Sequence, residues 1–197
     1  MLPILFNPES GSRNGERVAL HLKSLLEERQ IQGKLFPTRD VQDLQSLSES
    51  IDLPQGVLAC VGGDGTLHQC IQGFMRRKEP ARLLPVPAGT GNAFLKHFQI
   101  ENLESLINRI DLENKCRIDL LEVQTNRQTH YCFNIVGLGM FARGNEKAEK
   151  LRVLGKIRYD LAGLWELLQK KLDSIDASLE KGKISQELHF LVMGTCP

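Results

Sequence analysis

A chain of 197 residues with 25 Lys and Arg against 24 Asp and Glu carries a formal net charge of +1, which excludes nucleic-acid binding through bulk charge. Its apolar fraction of 41% supports the packed core of one large domain or one and a half small ones. No apolar run reaches the roughly 18 residues of a membrane-spanning helix, and no basic segment precedes an apolar one at the N-terminus, so neither a transmembrane segment nor a signal peptide is expected. The five cysteines (Cys60, Cys70, Cys116, Cys132, Cys196) are scattered and read as reduced thiols of a cytoplasmic protein. His68 and Cys70 lack a second ligand pair, so no metal site is expected there.

In chain order, Leu2–Phe6 reads as a buried strand, followed by the loop Asn7-Pro8-Glu9-Ser10-Gly11-Ser12 and a helix over 16–30 with Val18, Leu22, Leu25 and Leu26 at helical spacing. A second helix is predicted over 41–50 behind Asp40. The apolar run Gly56–Cys60 leads into Val61-Gly62-Gly63-Asp64-Gly65-Thr66 and then a helical pattern over 67–75. Strand, glycine turn, helix is the arrangement that aims backbone N–H groups and a helix N-terminus at a phosphate. Asp64 inside that turn can hold Mg²⁺ or accept a proton from a hydroxyl. The competing reading is a tight βα turn without a ligand.

A third junction of the same kind is Leu83-Leu84-Pro85-Val86-Pro87-Ala88-Gly89-Thr90-Gly91-Asn92-Ala93, leading into an amphipathic stretch with Phe94, Leu95 and Phe98. A further helix is predicted over 103–110. Three such junctions imply an α/β architecture with a parallel sheet, its ligand crevice at the carboxyl ends of the strands. The second region begins near Cys116. Ile118, Leu120 and Val123 predict a strand, Asn126-Arg127-Gln128 a turn, and Tyr131–Leu138 a returning strand. A helical segment over 145–172 bends near Gly155. Ile175–Leu179, a turn at Lys181-Gly182-Lys183 and a return over 188–192 complete a hairpin. The expected division is residues 1–114 and 115–197.

NPESG, GGDGT and PAGTGN, in this order and spacing, resemble the diacylglycerol kinase catalytic-domain superfamily, which includes bacterial diacylglycerol kinases and the sphingosine and ceramide kinases. The resemblance runs from Leu2 to about Gly163. Arg117-Ile118-Asp119-Leu120-Leu121, Phe133–Gly139 and Leu154-Gly155-Lys156-Ile157-Arg158-Tyr159 match its later landmarks, which separates it from the NAD kinases and phosphofructokinases that GGDGT alone would fit. It implies an NAD kinase/diacylglycerol kinase-like nucleotide domain followed by the start of a β-sandwich domain. It also implies a transferase of phospholipid metabolism that passes a phosphoryl group from ATP, with Mg²⁺, to a lipid hydroxyl, and a cytoplasmic protein peripherally associated with a membrane.

On this resemblance the nucleotide is expected at Asn7, Ser10, Thr38, Gly62, Gly63, Asp64, Gly65, Thr66, Gln69, Gly89, Thr90, Gly91 and Asn92, with Arg152 and Arg158 on its phosphates. Thr38 reads equally well as a strand-end residue. Asp64 and Asp119 are the candidate catalytic acids, Asp119 competing with a solvated strand aspartate. The basic helix with Arg143, Lys147 and Lys150 offers a face to anionic headgroups. The family's acid near the second turn of the helix is Gln69 here, and the acids that hold a sphingoid amine fall at Asn145 and Arg143, which favours a neutral, diacylglycerol-like acceptor. The chain stops at Gly194-Thr195-Cys196-Pro197, with no acid after Val192. We therefore expect a fragment of a longer lipid kinase, whose unfinished sheet edge would invite dimerisation. An NAD kinase-like soluble kinase and an inactive nucleotide-binding module are the alternatives.

Overall fold

The computed structural model describes residues 1–89, 92–109, 115–125, 128–150, 165, 172–179, 182–188 and 190–195. The chain divides into two compact units, Met1–Phe133 and Asn134–Cys196.

The first unit is built on β1 (Leu2–Phe6), β2 (Gly33–Pro37), β3 (Val57–Gly62) and β4 (Arg82–Pro87), a parallel sheet in the order β2-β1-β3-β4. A strand between two others, with helices on both faces, has no solvated side, so its residues read as one apolar run. β1 and β3 are accordingly buried at every position. Alternation then sorts their side chains between two cores. Leu2, Ile4, Phe6, Val57, Ala59 and Val61 pack against Ala19, Leu22 and Leu26 of α2 (Gly15–Glu28) and against Leu103, Leu106 and Ile107 of α6 (Leu103–Arg109). Leu5, Leu58 and Cys60 face Leu44 of α3 (Val41–Ser50) and Cys70 of α4 (Asp64–Phe74). Each fully buried Leu or Ile contributes about 1.5–3 kcal/mol.

Helix ends are set locally. Asp40 caps α3, its carboxylate accepting from the Asp43 N–H at 2.8 Å. Arg77, just beyond α4, donates to the carbonyls of Ser48, Glu49 and Ile51, which closes the C-terminal end of α3. α3 and α4 approach closely at Gly73, where a Cβ would fall 2.0 Å from the Gln45 carbonyl oxygen. The short α1 (Ser10–Arg13) and α5 (Ala93–His97) sit in the first and third glycine loops.

The hairpin of β5 (Leu121–Gln124) and β6 (Thr129–Cys132) also belongs to the first unit. In the second unit, β7 (Ile135–Gly139) pairs antiparallel with β10 (Phe190–Gly194), and β8 (Asp173–Leu179) with β9 (Gly182–Leu188). α7 (Met140–Lys150) follows β7 directly.

The α/β parallel sheet and the later antiparallel strands agree with expectation, while several boundaries move. The helix after the glycine turn starts at Asp64, three residues before its apolar pattern does. The strand expected from Ile118 starts at Leu121, which leaves Asp119 in irregular chain. The single strand expected over 131–138 is two, broken where Asn134 adopts a positive φ of 73°. The hairpin's return strand is Gly182–Leu188, and Phe190–Gly194 is a separate strand paired with β7. α7 begins at Met140 rather than 145, and most of the helical segment beyond Lys150, with the bend near Gly155 and the turn at 126–127, lies outside the described residues.

Candidate functional site

The loops after β1, β3 and β4 meet at the carboxyl end of the sheet. Their closeness follows from missing side chains. A Cβ on Gly11 (φ 59°) would fall 1.7 Å from the Ala88 carbonyl oxygen, so the first loop lies directly on the third. A Cβ on Gly89 would fall 2.4 Å from the Gly63 Cα, so the second and third touch backbone to backbone. A Cβ on Gly62 would meet the Thr66 side chain at 2.3 Å. Across the first and second loops, the hydroxyls of Ser10 and Thr66 share a hydrogen bond of 3.0 Å. Asn7 shapes its own loop, its Oδ1 accepting from the Glu9 N–H and its carbonyl from the Ser10 N–H.

Asp64 joins the second loop to the third. Its carboxylate accepts from the N–H groups of Ala93 at 2.8 Å and Phe94 at 3.2 Å, the first residues of α5. An acid supplied by one helix start thereby caps another, which satisfies donors that α5 cannot satisfy itself. Asn92, in the left-handed region at φ 46°, clamps Gly89, accepting from its N–H and donating to its carbonyl at 2.8 Å. Gly63 is the N-cap of α4 and offers no side-chain acceptor, and no side-chain cap is made there among the described residues. Such a helix start, at the positive end of the helix dipole, suits an anion. Gly65 is exposed, and Gly62 is buried beneath it.

Other expected residues behave differently. Thr38 is buried at the end of β2, its N–H and hydroxyl both directed to the Phe6 carbonyl at 2.9 and 3.2 Å. Gln69 accepts from the Gln45 amide at 2.7 Å and so links α4 to α3. Asp119 is exposed and makes no hydrogen bond or ion pair among the described residues. Thr90, Gly91, Arg152 and Arg158 lie outside the described residues. In the second unit, Arg143 pairs with Asp173 and Asn145 is exposed.

Beside the site, His68 of α4 is partly buried near the Phe133 ring. Burial, aided by His130, lowers its pKa from the ordinary 6.5. Cys60, enclosed in the core next to Cys70, has its pKa raised well above the ordinary thiol value by its hydrogen bond to Cys70 and by burial. Among the described residues no three His, Cys, Asp or Glu side chains cluster as a metal site. A lone carboxylate with neighbouring hydroxyls is nevertheless a donor set that suits Mg²⁺ arriving with phosphates, since Mg²⁺ keeps several waters and needs one or two carboxylates.

The two roles unseen from sequence are the capping of α5 by Asp64 and the clamp of Asn92 on Gly89. The first bridges 29 positions in the chain and has no local signature. The second had one, an Asn three residues after Gly89 in a glycine turn, where Asn tolerates positive φ.

The family model of the diacylglycerol kinase catalytic domain matches residues 1–123. The chain is 26% identical to a diacylglycerol kinase of Staphylococcus saprophyticus over 181 residues, covering 90% of this chain and 57% of that protein. It is 30% identical to sphingosine kinase 1 of Homo sapiens over 181 residues, covering 80% of this chain and 46% of that one. A crystal structure of a diacylglycerol kinase from Bacillus anthracis superimposes with a TM-score of 0.66 at 18% identity, covering 98% of this chain and 63% of that one. The chain spans about half the length of the curated relatives it matches.

Proposed function

The chain belongs to the diacylglycerol kinase catalytic-domain family, and from that membership we propose that it forms the nucleotide-binding part of a lipid kinase that passes the γ-phosphoryl group of ATP to an uncharged, diacylglycerol-like hydroxyl at a membrane surface. The observation that carries this reading is the convergence of three glycine loops, with Asp64 held between the second and third. Phosphoryl transfer depends on positioning and charge neutralisation more than on covalent chemistry. The uncapped N–H groups at the start of α4 bind phosphate oxygens, and the close backbone contact of Gly63 with Gly89 lets phosphates approach both loops. Ser10 and Thr66 contribute hydroxyls on the same side.

Asp64 acts on the acceptor. Its two backbone hydrogen bonds leave lone pairs free on both oxygens, so it can take the hydroxyl proton while staying oriented by α5. As that proton leaves, the hydroxyl oxygen bonds to the γ-phosphorus, the bond from γ-phosphorus to the bridging oxygen breaks, and ADP departs. Mg²⁺, when bound, offsets charge on the phosphates. Asn145 and Arg143 stand in sequence where sphingosine kinases are expected to carry the acids that pair with an ammonium group, which supports an uncharged acceptor. Arg152, Arg158 and Asp119 remain candidates for further contacts.

The test is transfer from γ-labelled ATP with Mg²⁺ into mixed micelles of diacylglycerol, monoacylglycerol, ceramide or sphingosine, with NAD as a soluble control acceptor, using this chain and the protein of the complete reading frame. Label in diacylglycerol supports the reading, and Asp64→Asn should then lower the rate by roughly 10²–10⁴. Label in NAD alone, or ATP binding without transfer by either protein, overturns it.

A further inference from the structure

Along the free edge of β4 the first unit holds a cavity of about 880 Å³, within the roughly 300–1,000 Å³ of small-molecule sites. Among the described residues β4 is the last strand of its sheet, and Pro85 and Pro87 suit it to an edge position. The walls are apolar. Leu67, Ile71 and Phe74 come from α4, Phe94 and Leu95 from α5, and Leu106 from α6. At the mouth, Met75 and Ile118 are exposed to 43% and 37% and continue the apolar surface of the walls outward.

The charged residues of the cavity's described lining are of one sign. Its described lining contains Arg82, Lys115 and Arg117 and no carboxylate. Arg82 donates to the Gln55 carbonyl, whereas Lys115 and Arg117 are exposed and make no hydrogen bond or ion pair among the described residues. An apolar interior with a cationic rim complements a molecule that has a hydrocarbon chain and an anionic head. A neutral hydrocarbon would leave the rim unused, and a free anion would leave the walls against water. We propose that this cavity takes one acyl chain of an anionic membrane phospholipid, with the headgroup phosphate held by Lys115 and Arg117.

This site is separate from phosphate binding by the glycine loops and does not rest on the transfer reaction. It abuts the recess beside Asp64 through the shared walls Leu67, Pro85 and Leu95.

The experiment is calorimetric titration of the chain with octyl, decyl and dodecyl phosphate below their micelle thresholds, with dodecyl maltoside and inorganic phosphate as controls. Affinity should rise about fourfold per added methylene, with one dodecyl phosphate per chain. Ala81→Trp, which fills the mouth, and the double reversal Lys115→Glu/Arg117→Glu should each weaken dodecyl phosphate at least tenfold with an unchanged unfolding midpoint. Ile118→Asp replaces Ala81→Trp if the latter lowers that midpoint. The same variants are floated with phosphatidylcholine vesicles with and without phosphatidate. Dodecyl maltoside binding as tightly as the phosphate overturns the anionic assignment. Inorganic phosphate binding as tightly, no chain-length dependence, or phosphatidate vesicle binding that survives filling of the mouth overturns the cavity. Transfer from ATP, measured in parallel, reports on the catalytic reading alone.

Discussion

Gln72 provides the sharpest test of how the β5–β6 hairpin is held to the helices of the parallel sheet. It is 6% exposed in the middle of α4. Its amide donates to the Tyr131 carbonyl at 2.7 Å and to the His68 carbonyl at 2.9 Å, and its oxygen accepts from the Tyr131 N–H at 3.0 Å. One side chain thus stands in for a neighbouring strand on the open edge of β6. Gln72→Leu preserves volume but leaves the Tyr131 N–H and C=O without partners. Each orphaned group costs about 1–3 kcal/mol, and extra apolar burial returns about 1. The expected loss is therefore about 1–5 kcal/mol. With a urea slope of about 2 kcal/mol/M, the midpoint should fall by roughly 0.5–2.5 M. Gln72→Glu should be worse, because it turns a carboxylate toward two carbonyl oxygens. Hydrogen exchange locates the effect: protection should fall first at Tyr131 and across 121–132, while the amide of Ile4 stays slow. A midpoint within 0.3 M of the parent for Gln72→Leu, or an equal loss of protection at Ile4, would refute the argument.

Gly89→Ala should separate the second and third loops, since its Cβ has to displace the Gly63 Cα. A stability loss of about 1–3 kcal/mol with weaker ATP binding by calorimetry is expected, and unchanged binding would show that the loop contact is dispensable. Because the folded pKa of His68 lies below its unfolded value of 6.5, the unfolded chain binds the proton first as pH falls. The stability that neutral His68 contributes is full above about pH 6.5 and is lost as pH drops through the folded pKa. Urea midpoints from pH 8 to 5 should therefore decline less steeply in His68→Gln than in the parent, and parallel slopes would remove His68 from the account. A thiol reagent at pH 8 should modify the exposed Cys116 first and leave the buried Cys60 and Cys70 unmodified until the chain unfolds. Peptide mapping that finds Cys60 labelled in the folded state would contradict this.

Much of the first unit was legible because its signals are local. β1 and β3 are unbroken apolar runs between turn residues, and α3 announces itself by Asp40 and its spacing. The glycine turns between strand and helix were legible for the same reason. What was hidden depends on contacts remote in sequence. Nothing around Asp64 says that its carboxylate will meet Ala93 and Phe94. Gln69 resembled a lost acid, and its partner Gln45 sits on another helix. The break at Asn134 was missed because Tyr131–Leu138 alternates well enough for one strand, while positive φ at an Asn is a tolerance rather than a demand. The swap of β10 to pair with β7 reflects register across more than fifty residues, which no local pattern encodes.

The sheet order also has a consequence in time. β1 lies between β2 and β3 and is synthesised before either. About 50 residues separate Phe6 from Val57, so at roughly 5–20 residues per second the ribosome leaves this fully buried strand half-covered for about 3–10 seconds. Helices and hairpins form in microseconds, so α2 and β2 can shield one edge early while the other waits for β3. The nascent chain should therefore be a client of chaperones that hold short apolar segments. Protease protection of Leu2–Phe6 in stalled chains should set in once β3 has emerged, and protection at shorter lengths would show that α2 alone suffices to cover β1.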